Sequence, residues 1–231
     1  MKYCIVNADD FGASHGINRG IIEAHHHGIL TSTSLMVNMP CSAEAARQSC
    51  DVPSLSVGLH VNFTNEGALP IVDLANSDQC RAELHKQFSS FHELMGRLPT
   101  HLDSHHNVHK YPQLLPHFRD LAQQYGLPLR GYSRVRYFPS FYGQWDGETH
   151  LEQISVESLV QMLETEFGEG ITELSCHLGY VDPEFQSAYS IEREAELRTL
   201  CDPVIKNKLA ELRIKLVSYQ DLDQYLINVS S

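Results

Sequence analysis

Asn7-Ala8-Asp9-Asp10-Phe11-Gly12 places two adjacent carboxylates directly after the apolar run Tyr3-Cys4-Ile5-Val6. Such a run reads as a buried parallel strand. Acids at its exit must be solvated, paired or bound to a cation, and strand exits are where α/β enzymes keep their chemistry. A plain turn with Asp10 capping the next helix is the competing reading. Farther along, His101-Leu102-Asp103-Ser104-His105-His106-Asn107-Val108-His109 gathers imidazoles around a carboxylate. Extended backbone over 100–105 would put His101, Asp103 and His105 on one face. A helix would instead stack His101, His105 and His109. Either conformation assembles the donor set of a divalent metal. A solvated histidine-rich loop is the alternative, against which Asp9 and Asp10 count as the missing carboxylates.

Four sites fall at expected C-terminal strand ends: Asp9 with Asp10, His60 with Asn62, the 101–105 cluster, and His177. In a parallel barrel these ends converge on one mouth. A mononuclear hydrolase needs three protein ligands, an open position for water, a base and an acid. One aspartate and two histidines supply the ligands, the other aspartate takes a proton from water, and His177 gives one to a leaving amine. A bound metal polarises the scissile carbonyl.

The elements that must position these groups alternate. Strands are expected near 2–8, 32–38, 55–62, 100–105, 127–131, 171–176 and 213–218. Between them, Ile17, Ile21, Ile22 and Ala24 form a helix face ended by Gly28. Leu114, Leu115, Phe118 and Leu121 form another, stopped by Gly126, and Ser155 opens a third carrying Val156, Leu159, Val160, Leu163 and Phe167. This alternation implies an α/β chain: a single-domain (β/α) barrel-like fold of about seven parallel strands, closed or nearly so. The stretch 132–150 has no helical period but holds Tyr132, Tyr137, Phe138, Phe141, Tyr142 and Trp145. Long irregular segments in compact domains are usually functional, and aromatic faces suit sugar rings. Arg130, Tyr142 and Asn62 are the candidate substrate contacts; ordinary loop packing is the alternative.

The 231 residues suit one domain over 1–231. Apolar content is 42% without a run long enough for a membrane span. The start enters a strand without a basic segment or cleavage site, so a cytoplasmic location is expected. A net charge of −12 argues against a nucleic-acid partner. Glu192, Glu194 and Glu196 read as a solvated helix face. The six cysteines form no C-x-x-C pair and read as reduced thiols, with Cys176, beside His177, the one to weigh as a nucleophile. His25-His26-His27 ends a helix, where imidazoles meet the negative dipole end. His85, His92, His117 and His150 read as surface positions. His101, His106 and Asp103 are candidates to orient ligands, and His109 to line the pocket.

The chain also resembles a known family, the YdjC-like carbohydrate deacetylases, which include the chito-oligosaccharide deacetylases. The motifs are NADDFG at 7–12, GIIEA at 20–24, GILTSTSLMVN at 28–38, SVGLHVNFT at 56–64, PTHLDSHHNVH at 99–109, SCHLGYVD at 175–182 and SYQDL at 218–222. The resemblance implies a barrel-like β/α fold with one divalent ion, Mg2+ or Zn2+, in its mouth. It assigns Asp10, His60 and His105 as metal ligands, Asp9 as base and His177 as acid. It implies removal of acetyl groups from N-acetylated sugars or short chito-oligosaccharides, and, since some members are dimeric, a homodimer. Three departures are visible. The segment after the GLH motif is shorter than usual, the usual C-H-P-A-like motif reads Cys176-His177-Leu178-Gly179, and Asn107 replaces a common histidine. The alternatives are a metal-dependent sugar isomerase or epimerase, which would want further strand-end carboxylates, and a non-catalytic sugar binder.

Overall fold

Strand alternation divides the buried side chains into two sets with different chemistry. The computed structural model describes residues 1–229. In chain order it comprises β1 (Lys2–Phe11), α1 (His15–His27), β2 (Ser32–Leu35), α2 (Ser42–Cys50), β3 (Ser56–Val61), α3 (Ser77–Met95) and β4 (Leu102–Ser104). It continues through α4 (Leu115–Tyr125), β5 (Arg136–Phe138), a small hairpin of β6 (Gln144–Trp145) and β7 (Glu148–Thr149), α5 (Val156–Glu166) and β8 (Gly170–Cys176). It ends with α6 (Ile191–Cys201), α7 (Pro203–Glu211), β9 (Ile214–Leu216) and α8 (Leu222–Val229). The main sheet runs β4-β3-β2-β1-β8-β5, all parallel, with β9 beside the start of β1. It curls into a half-barrel.

On the outer face, Cys4, Val6 and Ala8 of β1 and Val57, Leu59 and Val61 of β3 join Ile17 and Ile21 of α1 and Phe118 of α4 in the main apolar core. The inner face begins as a smaller apolar plug of Tyr3, Ile5, Ile171, Val217, Tyr219 and Leu222. Above the plug the same face turns polar and stays buried, with Asn7, Asp9, His60, Asp103 and Glu173. Continuous strand burial thus conceals an apolar outside and a charged inside.

The helix boundaries follow local chemistry. Ser14 accepts the Ile17 N–H and caps α1, Ser155 accepts the Ser158 N–H and caps α5, and Gly126 ends α4 at φ 66°. Two expectations are corrected. Residues 127–131 form no strand: Pro128 has no N–H to offer, and pairing shrinks to one bridge between Leu102 and Leu129. The strand at that position in sequence is β5, inside the stretch read as irregular, and it pairs β8. The segment between them links both sheet edges, since the Arg130 N–H donates to the Leu102 carbonyl (3.0 Å) and the chain then runs to β5. No helix among the described residues is long and apolar enough to cross a membrane.

Candidate active site

Adjacent strand residues face opposite ways, so Asp9 and Asp10 could not both enter one pocket from a regular strand. A bulge solves this. Between the pairs Ala8–Thr33 and Phe11–Leu35, β1 carries one more residue than β2. Asp10 takes up the extra length in the left-handed region, at φ 66°, a conformation uncommon for a side chain other than glycine. Both acids are consequently buried at the same mouth.

Asp10 Oδ1 lies 3.2 Å from His105 Nδ1 and 3.5 Å from His60 Nε2. It has no hydrogen-bond partner although it is shut from water. His60 is aimed by its other nitrogen, which contacts Asp103 Oδ1 at 2.8 Å; the Asp103–His60 pair has the form seen behind metal-bound imidazoles. Burial alone would lower the His60 pKa, but Asp103 and Asp9 push it up to about 10. Burial works against the Asp10 carboxylate too, yet the Arg193 guanidinium and the two imidazoles hold it well below the usual range. One ligand atom from each of Asp10, His60 and His105 falls within 4.8 Å of the others. An orphaned carboxylate oxygen facing two imidazoles fits a divalent cation, which would balance it.

Asp9 stands beside this group. Arg130 grips it with two nitrogens, each 2.7 Å from a carboxylate oxygen, and Asn7 Nδ2 donates to Oδ1 at 3.0 Å. Despite burial, Arg130 and His60 hold its pKa below the ordinary value. Arg130 corrects an expectation. It is 1% exposed and lies beneath the carboxylates, with Nη2 also 2.7 Å from Asp103 and from Glu173. Its guanidinium is spent on three buried acids and does not line the mouth.

The mouth is a cavity of about 380 Å3 lined by Asp9, Asp10, His60, His105, Tyr142 and His177, among others. His177 Nε2 is 3.7 Å from Asp9 Oδ2, its ring packed edge-on against Tyr142 and Tyr189. Burial lowers its pKa, with Asp9 and Asp10 opposing. Asn62, expected at the same mouth, lines a neighbouring cavity with Asn38, Met39 and Gln186; Glu66 lines both.

The other candidates separate by depth. His101 stacks on Tyr219 (3.9 Å between ring centres) at the floor, where burial lowers its pKa to about 4, and it orients no ligand directly. His106 packs on His105 and contacts Thr64 Oγ1 at 2.8 Å, from a left-handed backbone shared with Asn107. His109 is buried against Ser104 and does not line the mouth. The Cys176 thiol points to the Asn7 carbonyl (3.3 Å) and burial holds it well above its ordinary pKa, a poor nucleophile.

Three residues escaped the sequence reading. Glu66 Oε1 approaches His105 Nε2 at 3.4 Å. Arg193 and Glu196 of α6 are buried and reach Asp10 and the His177 backbone. Glu192 is buried as well, accepting from Thr149 Oγ1. The solvated-face reading of α6 is therefore corrected. Arg193 and Glu196 lie one turn apart and so share a face of α6, but their spacing does not say which face is packed.

A model of the family described as YdjC-like protein matches residues 3–211. A carbohydrate deacetylase of Geobacillus stearothermophilus is 37% identical over 251 residues, covering 95% of this chain and 98% of the relative. A chitooligosaccharide deacetylase of Serratia marcescens is 37% identical over 253 residues, covering 96% and 99%. Among solved structures, an Enterococcus faecalis protein provisionally described as a cellobiose-phosphate cleavage protein superposes with a TM-score of 0.82 at 29% identity, covering 96% of this chain and 98% of that one. A family 4 carbohydrate esterase of Streptomyces lividans, in complex with acetate, shares the fold at a TM-score of 0.59 and 16% identity, covering 94% and 91%.

Proposed function

The chain belongs to the YdjC-like family, and from that premise we propose that it is a metal-dependent carbohydrate deacetylase acting on N-acetylated sugars or short chito-oligosaccharides. The observation that carries the reading is the buried, unpartnered Asp10 Oδ1 facing His60 and His105, with Asp9 and His177 on the adjoining wall. Asp10, His60 and His105 would hold one divalent cation, Mg2+ or Zn2+. Such a cation, when bound, polarises the amide carbonyl and acidifies water.

The protein's own part follows from the contacts. Arg130 keeps Asp9 ionised and fixed, so Asp9 accepts a proton from the attacking water. His177 delivers a proton to the departing nitrogen, and its contact with Asp9 Oδ2 returns the one taken up. Acetate and an amino sugar leave. Tyr142 and Asn62 are the candidate sugar contacts, Asn62 from the adjoining cavity. Residues 1–231 act as one such domain in the cytoplasm, where the six unpaired thiols stay reduced.

The test is acetate release from di-N-acetylchitobiose and other N-acetylated sugars by protein loaded with Zn2+ or Mg2+. Release supports the reading; no acetate from any of them, with the cation demonstrably bound, overturns it.

A further inference from the structure

Arg193 and Glu196 take no part in the chemistry above, yet they are buried and hold both sides of it. Arg193 Nη2 donates to Asp10 Oδ2 at 2.8 Å, Nη1 to the His177 carbonyl at 3.1 Å, and Nε to the Tyr189 carbonyl at 3.0 Å. Glu196 Oε2 accepts the His177 N–H at 2.5 Å, and its other oxygen accepts the Tyr189 hydroxyl. The Gly179 N–H donates to the Arg193 carbonyl at 3.1 Å. One turn of α6 thus grips the His177 residue at both its N–H and its C=O and pins the next peptide but one. The same guanidinium reaches across to Asp10.

We propose that Arg193 and Glu196 are positioning residues that align the two halves of the reaction centre. The proposal rests on the reading of Asp10 as a cation ligand and His177 as the acid. Arg193 occupies Asp10 Oδ2 and leaves Oδ1 alone to face His60 and His105, so the carboxylate offers one oxygen and a coordination place stays open for water. Glu196 and Arg193 together fix the backbone of His177, and so the reach of its ring to Asp9. They supply the rigidity that a proline in the Cys176-His177-Leu178-Gly179 motif would otherwise lend. Only a planar fork serves three acceptors on three segments of the chain at once; a lysine ammonium reaches one of them well.

The experiment compares R193K, R193Q and E196Q with the wild type. Zn2+ and Mn2+ are titrated calorimetrically into each metal-free protein, thermal melts check folding, kcat and KM are measured on di-N-acetylchitobiose, and 15N-histidine labelling follows the His177 amide. Both Arg193 variants are expected to bind the cations roughly 10–100-fold more weakly, with no rescue by lysine. E196Q is expected to bind them within about twofold of wild type, to lower kcat with KM little changed, and to shift the His177 amide resonance. A merely structural role would lower the melting temperature and leave affinities and the kcat–KM split alone. Folded Arg193 variants with wild-type affinity, or E196Q with wild-type kcat and an unmoved amide, overturn the proposal. If neither Arg193 variant folds, E196Q decides. A wild type that binds cation but releases no acetate sinks the deacetylase reading, while the affinities and the amide resonance still judge the alignment.

Discussion

Asp9 and Asp10 are neighbours in sequence for which we propose opposite duties, and their partners differ accordingly. Asp9 is gripped by Arg130 at both oxygens and by Asn7 at Oδ1, which leaves Oδ2 with one donor and room to take a proton. Asp10 keeps one oxygen bare. Asp9→Asn retains the shape but cannot hold a proton taken from water. It should lower kcat about 10²–10⁴-fold while the Zn2+ dissociation constant, read by calorimetry, moves little. Asp10→Asn should do the reverse first, weakening Zn2+ binding before any kinetic comparison is meaningful. Equal metal affinities for Asp10→Asn and the wild type would contradict the division of labour. At this scale the candidate acids and imidazoles could be picked out because few residue types can ligate a metal, and the structure brings Asp10, His60 and His105 together. The burial of Glu196 was not, because three glutamates on a helix look alike until the packed face is known.

The element that matters most to the site is the segment joining the sheet edges, since it carries Arg130 into the floor. Arg130 is ion-paired with Asp9, Asp103 and Glu173 inside the protein. Arg130→Met would strand three buried acids, and breaking a buried ion pair from one side costs about 3–5 kcal/mol. Urea denaturation should show a loss of at least that order. β3 offers a second check. A Cβ on Gly58 would stand 2.4 Å from the His101 ring, which is itself stacked on Tyr219. Gly58→Ala should therefore destabilise by about 1–3 kcal/mol through overpacking, with His101→Ala in the same chain relieving part of the loss. Helix caps and apolar faces were readable from local spacing. The replacement of the expected 127–131 strand by β5 was not, because pairing partners lie on strands distant in sequence.

For the whole molecule, the buried charges predict how stability of the metal-free protein varies with pH. Arg130 and Arg193, with the imidazoles, hold Asp9, Asp10 and Asp103 below the ordinary 3.8 despite burial. Below that value the unfolded chain binds more protons than the folded one, so this stabilisation is present above it and is lost as pH falls. Glu196 has the opposite sign. Burial raises it from 4.5 to about 8, so the folded state binds the extra proton in that window and stability declines as pH rises through it. His60, raised from 6.5 to about 10, contributes stability that is full below the lower value and fades toward the higher. The urea midpoint should therefore peak on the mildly acidic side of neutrality and fall both ways, with E196Q flattening part of the alkaline descent. A midpoint flat from pH 4 to 9 would contradict these assignments.

The chain alone determined its alternation of strand and helix, the donor groups its acids and imidazoles can offer, and a family likeness carried by motifs from end to end. These are local properties: caps, turn residues and side-chain periodicity act within a few neighbours, and ligand chemistry resides in single residue types. Tertiary structure decided the rest. It introduced the bulge that turns Asp10 into the same mouth as Asp9, placed Arg130 under the floor instead of at the rim, and brought α6 against His177. Each of those depends on strand register or on contacts between residues more than 15 positions apart, in one case 121, and no local pattern encodes which distant partner will pack there.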